Sequence, residues 1–173
     1  MTDRAASTED RLAELERRLR LLEDEKQIRE LLARYGYYAD ACLDDEYFEL
    51  FTADCVMDVS AGRGEDPYEV QRWEGRDTLK RFMAERLAAH DNGFYGRSFH
   101  VQGNNLSIKV TGETATAVGY SFIFHQDGPT LRLLSASLNE WHFRREDGRW
   151  KIHVRRRRMA GAPDAADVVR AAD

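Results

Sequence analysis

The chain changes its period near Arg97, and that change restricts the folds open to it more than any other feature. Upstream, Leu12, Leu15, Leu19 and Leu22, and then Ile28, Leu31, Leu32 and Tyr35, recur at three- and four-residue steps, which places each set on one face of an α-helix. Downstream, Leu106, Ile108 and Val110, and then Val118, Tyr120, Phe122 and Phe124, alternate with other residues, the period of strands whose two faces differ. Helices first and consecutive antiparallel strands second make an α+β plan, with helices layered on one face of a sheet. At 173 residues the chain suits one such domain, large enough to close a core around a small molecule.

Local signals mark where elements begin and end. Ser7 and Asp10 form a capping box ahead of an amphipathic helix in residues 1–27. A second helical segment starts at Ile28 and ends near Asp40, and Asp44 or Asp45 is expected to cap a short helix over 46–51. Residues 56–60 read as a first strand, 61–67 as a loop holding Gly62 and Gly64, and 68–73 as an edge strand. Asp77 is the expected N-cap of a helix in which Leu79, Phe82, Met83 and Leu87 share a face, ending near His90 before Asn92-Gly93. Turns at Thr111-Gly112, Asp127-Gly128-Pro129 and Asp147-Gly148 separate later strands over 114–125, 131–145 and 150–158. The Ala-rich segment 161–173 reads as a loose tail or a partner-binding arm.

Composition excludes several function classes. No apolar run approaches the roughly 18 residues of a spanning helix, and the first residues, MTDRAASTEDR, lack the apolar stretch of a secretory signal. No membrane partner and a cytoplasmic location are therefore expected. Acidic residues outnumber basic ones, 31 to 26, so the overall field opposes nucleic acid. Arg155 to Arg158 form the one basic run, but alternation in a strand divides it between two faces. Cys42 and Cys55 are the only cysteines and have no metal-ligand spacing. With no HExxH and no Gly-rich phosphate loop, the sequence carries no signature of a metal or a cofactor.

Several segments together carry a family resemblance. IRELLARYGYYAD, YFELF followed by TADCVMDVSAG, WEGRDTLKRFM, an isolated His100 before a strand, and DGRWKI resemble the SnoaL-like branch of the nuclear transport factor 2-like superfamily over residues 10–160. The resemblance implies a cone-shaped α+β barrel, a curved antiparallel sheet wrapped around a pocket closed by N-terminal helices, with the catalytic domain at 28–160. Within that branch the chain is similar to lyases such as bile-acid 7α-dehydratase, scytalone dehydratase and hexachlorocyclohexane dehydrochlorinase. Their shared pattern implies a catalytic aspartate at Asp40 and a histidine at His100, and the pattern of the bile-acid enzyme adds a tyrosine at Tyr35. It also implies an active-site arginine on the last strand, where the parity of Trp150 nominates Arg156 or Arg158 and a bulge would reverse the choice. His125, 25 residues after His100, has a separation similar to that of the second histidine of scytalone dehydratase. With Tyr120 on the same strand, it completes the substrate-binding candidates.

Each candidate also has a structural reading. Asp40 can cap a backbone group instead of serving as a carboxylate beside buried surface. His100 can be a core residue, or a base if an acceptor such as Asp40 sets its tautomer. Tyr35 can pack as an aromatic or donate its phenolic hydrogen. The expected function is a cofactor-independent lyase (dehydratase) or isomerase acting on a hydrophobic, oxygenated small molecule such as a steroid, terpenoid or polyketide. A polyketide or epoxide-opening cyclase is the alternative within enzymes, and a small-molecule-binding or assembly module the alternative outside them. The leucine stripe at 12, 15, 19 and 22 needs cover, from the parent domain or from a neighbour in a homodimer or homotrimer.

Overall fold

A computed structural model describes residues 7–60, 65–87 and 95–170. The first helix, α1, runs without interruption over Thr8–Asp40. The two helical segments expected from the sequence are therefore one, because residues 23–27, Glu-Asp-Glu-Lys-Gln, contain no helix breaker. Ser7 caps it as expected: its hydroxyl accepts from the Asp10 amide, and the Asp10 carboxylate accepts from Ser7 N–H. Only the C-terminal half is fastened to the domain, through buried Ile28, Leu31, Leu32 and Tyr35.

The short helix α2 (Asp44–Glu49) has Leu43, without a side-chain cap, at its N-cap. Asp44, Asp45 and Glu46 lie in its first turn instead, where the helix dipole favours negative charge. Strand β1 spans Phe51–Ser60, starting earlier than expected because Phe51 already pairs with Ile152. Strand β2 (Val70–Glu74) lies antiparallel on its outer edge. Helix α3 covers Arg76–Leu87, with Asp77 in its first turn rather than at its cap. The expectations placed on Ala61 to Gly64, His90 and Asn92-Gly93 lie outside the described residues.

The second half is sheet: β3 (Ser98–Gln102), β4 (Ser107–Thr111), β5 (Thr114–Asp127), β6 (Thr130–Glu146) and β7 (Arg149–Met159). The order is β2-β1-β7-β6-β5-β3, with β4 also paired to β5. All pairs are antiparallel except β1 with β7, which run parallel. Asp147 and Gly148 both take positive φ, 51° and 73°, as the two-residue hairpin turn requires. The curved sheet is interrupted by bulges at Ile123/Phe124 and at His142/Phe143, which bend a strand and shift its phase.

The core lies between this sheet and the helices. Tyr35 meets Tyr47, Phe51 and Trp141, with ring centroids 5.1, 6.2 and 5.3 Å away. The segment after Gly161 is not a loose tail. It forms α4 (Ala165–Arg170), whose Val168 is fully buried, and Asp164 just before it binds Arg158 Nε at 2.6 Å. No described helix is long and apolar enough to cross a membrane.

Candidate active site

A cavity of about 280 Å³ opens between α1, α3 and the sheet. Met57, Val59, Leu79 and Phe82 supply apolar wall, and His100, Tyr35, Arg155 and Arg157 supply polar wall. This mixture suits an apolar body carrying a few oxygens.

Asp40 is the last residue of α1, where a negative charge meets the unfavourable end of the helix dipole. Three donors compensate. Ser98 Oγ donates to Oδ1 at 2.9 Å, the His100 backbone N–H to Oδ2 at 2.8 Å, and His100 Nδ1 lies 2.6 Å from Oδ1. A carboxylate only accepts hydrogen bonds, so Nδ1 carries the proton and the Nε2 lone pair is left at the cavity wall. Nε2 has no partner among the described residues. The pair is largely shielded from solvent, with His100 and Asp40 side chains 12% and 19% exposed.

A second polar group on the cavity wall is Tyr35 with Arg155. Arg155 Nη1 donates to the Tyr35 hydroxyl oxygen, which leaves the phenolic hydrogen to be given elsewhere. Arg155 Nε and Nη2 both bind Asn139 Oδ1, at 3.1 and 2.8 Å. Asn139 Nδ2 in turn donates to Ser121 Oγ at 2.8 Å. The guanidinium also lies 4.5 Å from the centroid of Trp141. Arg155 is buried, and none of the described residues gives it a carboxylate partner. Its charge is thus held only by neutral acceptors and aromatic faces.

The arginine run divides two by two, in the reverse sense to the parity of Trp150. His153 is the extra residue of the β6/β7 bulge, since His142 pairs with Val154 while Phe143 pairs with Ile152. The bulge shifts the phase, so Arg155 and Arg157 face the cavity. Arg156 and Arg158 face away. Arg156 lies 3.8 Å from Glu140 and 3.4 Å from Asp164, and Arg158 is 2.8 Å from Asp58. Arg157 donates to Ser137 Oγ at 2.9 Å and to the Ser60 carbonyl at 3.1 Å.

Two more nominated residues do not line the cavity. Tyr120 is 43% exposed, because its neighbour Ser121 points inward. His125 lies past the β5 bulge, paired in the sheet with Ser98 and Arg132. Ser98, Asn139 and Ser121 were not singled out from the sequence. Ser98 shares a strand face with His100, a usable signal, whereas nothing in the sequence places Asn139 beside Arg155. Among the described residues, no group of three or more His, Cys, Asp or Glu is placed to hold a metal.

Comparisons agree with this architecture. A model of the SnoaL-like domain matches residues 20–156. An NTF2-like protein with a cystatin-like fold from Novosphingobium aromaticivorans is 30% identical, with 91% of this chain and 96% of that chain covered at a TM-score of 0.74. A candidate scytalone dehydratase from the same organism is 20% identical, covering 80% of this chain and 85% of its own, at 0.63. The β subunit of a candidate aromatic-ring-hydroxylating dioxygenase, also from that organism, is 18% identical, covering 80% and 90%, at 0.62. The last two share the fold alone. No curated protein matches the chain.

Proposed function

This chain belongs to the SnoaL-like domain family, and on that premise we propose that it is an acid/base lyase, a dehydratase, or an isomerase of a hydrophobic, oxygenated small molecule of the steroid, terpenoid or polyketide kind. The observation that carries the reading is the 2.6 Å contact between Asp40 Oδ1 and His100 Nδ1 at the edge of the cavity. A pocket that only bound a ligand would have no use for an imidazole whose tautomer is set by a carboxylate and whose second nitrogen has no partner among the described residues.

In the proposed reaction His100 Nε2 removes a proton from a carbon next to a carbonyl. Asp40 stabilises the imidazolium that forms. The electron pair moves onto the carbonyl oxygen, which accepts the Tyr35 phenolic hydrogen bond, and Arg155 behind that phenol strengthens it as a donor. In an elimination the enolate then expels a β-hydroxyl, and the imidazolium returns the proton to it as water leaves. In an isomerisation the same proton goes back to another carbon.

Removal of the proton is testable before the substrate is named. Hydroxylated cyclic ketones incubated with the protein in D2O should take up deuterium next to the carbonyl, or lose water, and His100→Ala should slow both by roughly two to four orders of magnitude. If His100→Ala leaves exchange and elimination unchanged on a substrate that the wild type turns over, the reading is wrong.

A further inference from the structure

The N-terminal part of α1 carries a feature that the reaction does not use. From Thr8 to Arg20 every residue is exposed, and Leu12, Leu15, Leu19 and Leu22 are 56%, 60%, 57% and 63% exposed. Further along, Asp24 is held to the domain by Arg145 and by Trp150 Nε1 at 3.1 Å. The helix therefore projects from a fixed base by about 1.5 Å per residue, with every residue of some three turns exposed.

The stripe has the spacing of a coiled-coil seam, with Leu12 and Leu19 at a and Leu15 and Leu22 at d. The positions beside that seam decide what covers it. The e positions are Glu9, Glu16 and Glu23, and the g positions Arg11, Arg18 and Glu25. In a parallel pair each g residue faces the e residue five places on in the partner helix. That sets Arg11 against Glu16 and Arg18 against Glu23, twice each by symmetry. An antiparallel pair would bring e to e and g to g, setting Glu9 against Glu23 twice, Glu16 against Glu16 and Arg18 against Arg18, four repulsions against which only the two Arg11–Glu25 pairs attract.

None of Arg11, Glu16, Arg18 and Glu23 makes an ion pair or a side-chain hydrogen bond among the described residues, whereas Arg17, on the far side from the seam, is paired with Glu14 at 2.7 Å. We infer that the Thr8–Glu23 stretch of α1 associates in parallel with the same stretch of a second copy of this chain, sealing the leucine seam between Arg11–Glu16 and Arg18–Glu23 pairs. A seam of two heptads suffices here because the domain already holds the helix, so association does not bear the cost of helix nucleation. The acidic e row also opposes an anionic membrane as the covering surface.

Cross-linking of the full chain tests this. In a parallel pair two residues 15 face each other across the seam, so Leu15→Cys should form an interchain disulfide under mild oxidation, beyond any formed by the wild type with its own Cys42 and Cys55. In that background Arg18→Glu, or Glu23→Arg, should raise the concentration needed for half cross-linking by roughly fivefold to tenfold, and the two reversals together should restore it. No cross-link above the wild-type level would mean that the stripe is covered by another partner or by none, and would overturn the proposal. A cross-link indifferent to the reversals, or one the double reversal fails to rescue, would overturn the parallel arrangement. All these positions are exposed, and unchanged thermal melting of each variant shows that the domain is intact.

Discussion

Gly36 of α1 lies against the backbone of His100: a Cβ at Gly36 would sit 2.4 Å from the His100 carbonyl oxygen. No strand backbone can yield that distance without moving β3, so helix and strand meet this closely only because residue 36 has no side chain. Four residues later the same helix ends in Asp40, which binds the His100 amide and ring. Gly36→Ala should therefore weaken the fold by about 1–3 kcal/mol through overpacking, although alanine is the better helix former. It should also lower turnover by parting Asp40 from His100. Thermal melting and kcat of the same preparation check both effects, and a variant as active and as stable as the wild type would show that the contact is loose.

His100→Ala and Asp40→Asn should each lower turnover by roughly two to four orders of magnitude. The two act as one unit, so the double variant should lose far less than the product of the single losses. Asparagine at 40 keeps the shape but can present its amide to Nδ1, which favours the wrong tautomer. Single-turnover rates on any substrate identified by exchange provide the measurement.

Tyr35→Phe should cost about ten- to a hundredfold, at or below the low end of what one oxyanion donor contributes. Arg155→Lys should not rescue an Arg155→Met loss, because the guanidinium binds Tyr35 and Asn139 at once and an ammonium cannot span both. Full activity in Arg155→Lys would show that charge alone suffices at 155, and full activity in Arg155→Met would place the residue outside the reaction.

Acid should loosen the C-terminal helix. The hydrogen bond from Arg158 holds the Asp164 carboxyl below its ordinary value of 3.8. Between the lowered folded value and 3.8 the unfolded chain binds more protons, so this contribution is present above 3.8 and is lost as pH falls through the folded value. Asp164→Asn should melt below the wild type at pH 7, and the difference should shrink below about pH 4. Hydrogen exchange at the Val168 amide should show the same trend. An equal difference at every pH would exclude the ion pair as its source.

Burial keeps Cys55 inert. The residue is 1% exposed, and desolvation of the thiolate pushes its thiol up to about 11, against some opposition from Arg76. Because the folded value lies above the ordinary 9.0, this contribution is whole below pH 9 and fades as pH rises through about 11. Iodoacetamide at pH 8 should spare Cys55 until the protein unfolds, as peptide mass spectrometry can show. Labelling of Cys55 in the folded protein would contradict its burial.

The α+β plan and the three turns of the second half were legible in the sequence because they rest on local signals, namely period and turn residues, whereas Asp40 and His100 were nominated only through the family resemblance, their local context fitting structural roles as well. The leucine stripe was legible too, as an apolar face that needs cover. The continuity of α1 was missed because a shift in apolar phase between Leu22 and Ile28 looked like a boundary, although no residue there breaks a helix. The C-terminal helix was missed because its cover comes from β5 and β6, distant in sequence, as well as from the preceding β7.

The arginines show where local reading stops. Strand alternation requires Arg155 and Arg157 to face one way and Arg156 and Arg158 the other, and the sequence alone determined that division. Which pair enters the cavity depends on the single extra residue His153 in the β6/β7 pairing. A bulge is a property of two strands in register, set by how both pack on the core, and one strand's sequence does not contain it. The same holds for Asn139 beneath Arg155 and for the close packing of Gly36 on the His100 backbone: residue types were given along the chain, and only the tertiary structure decided which of them meet.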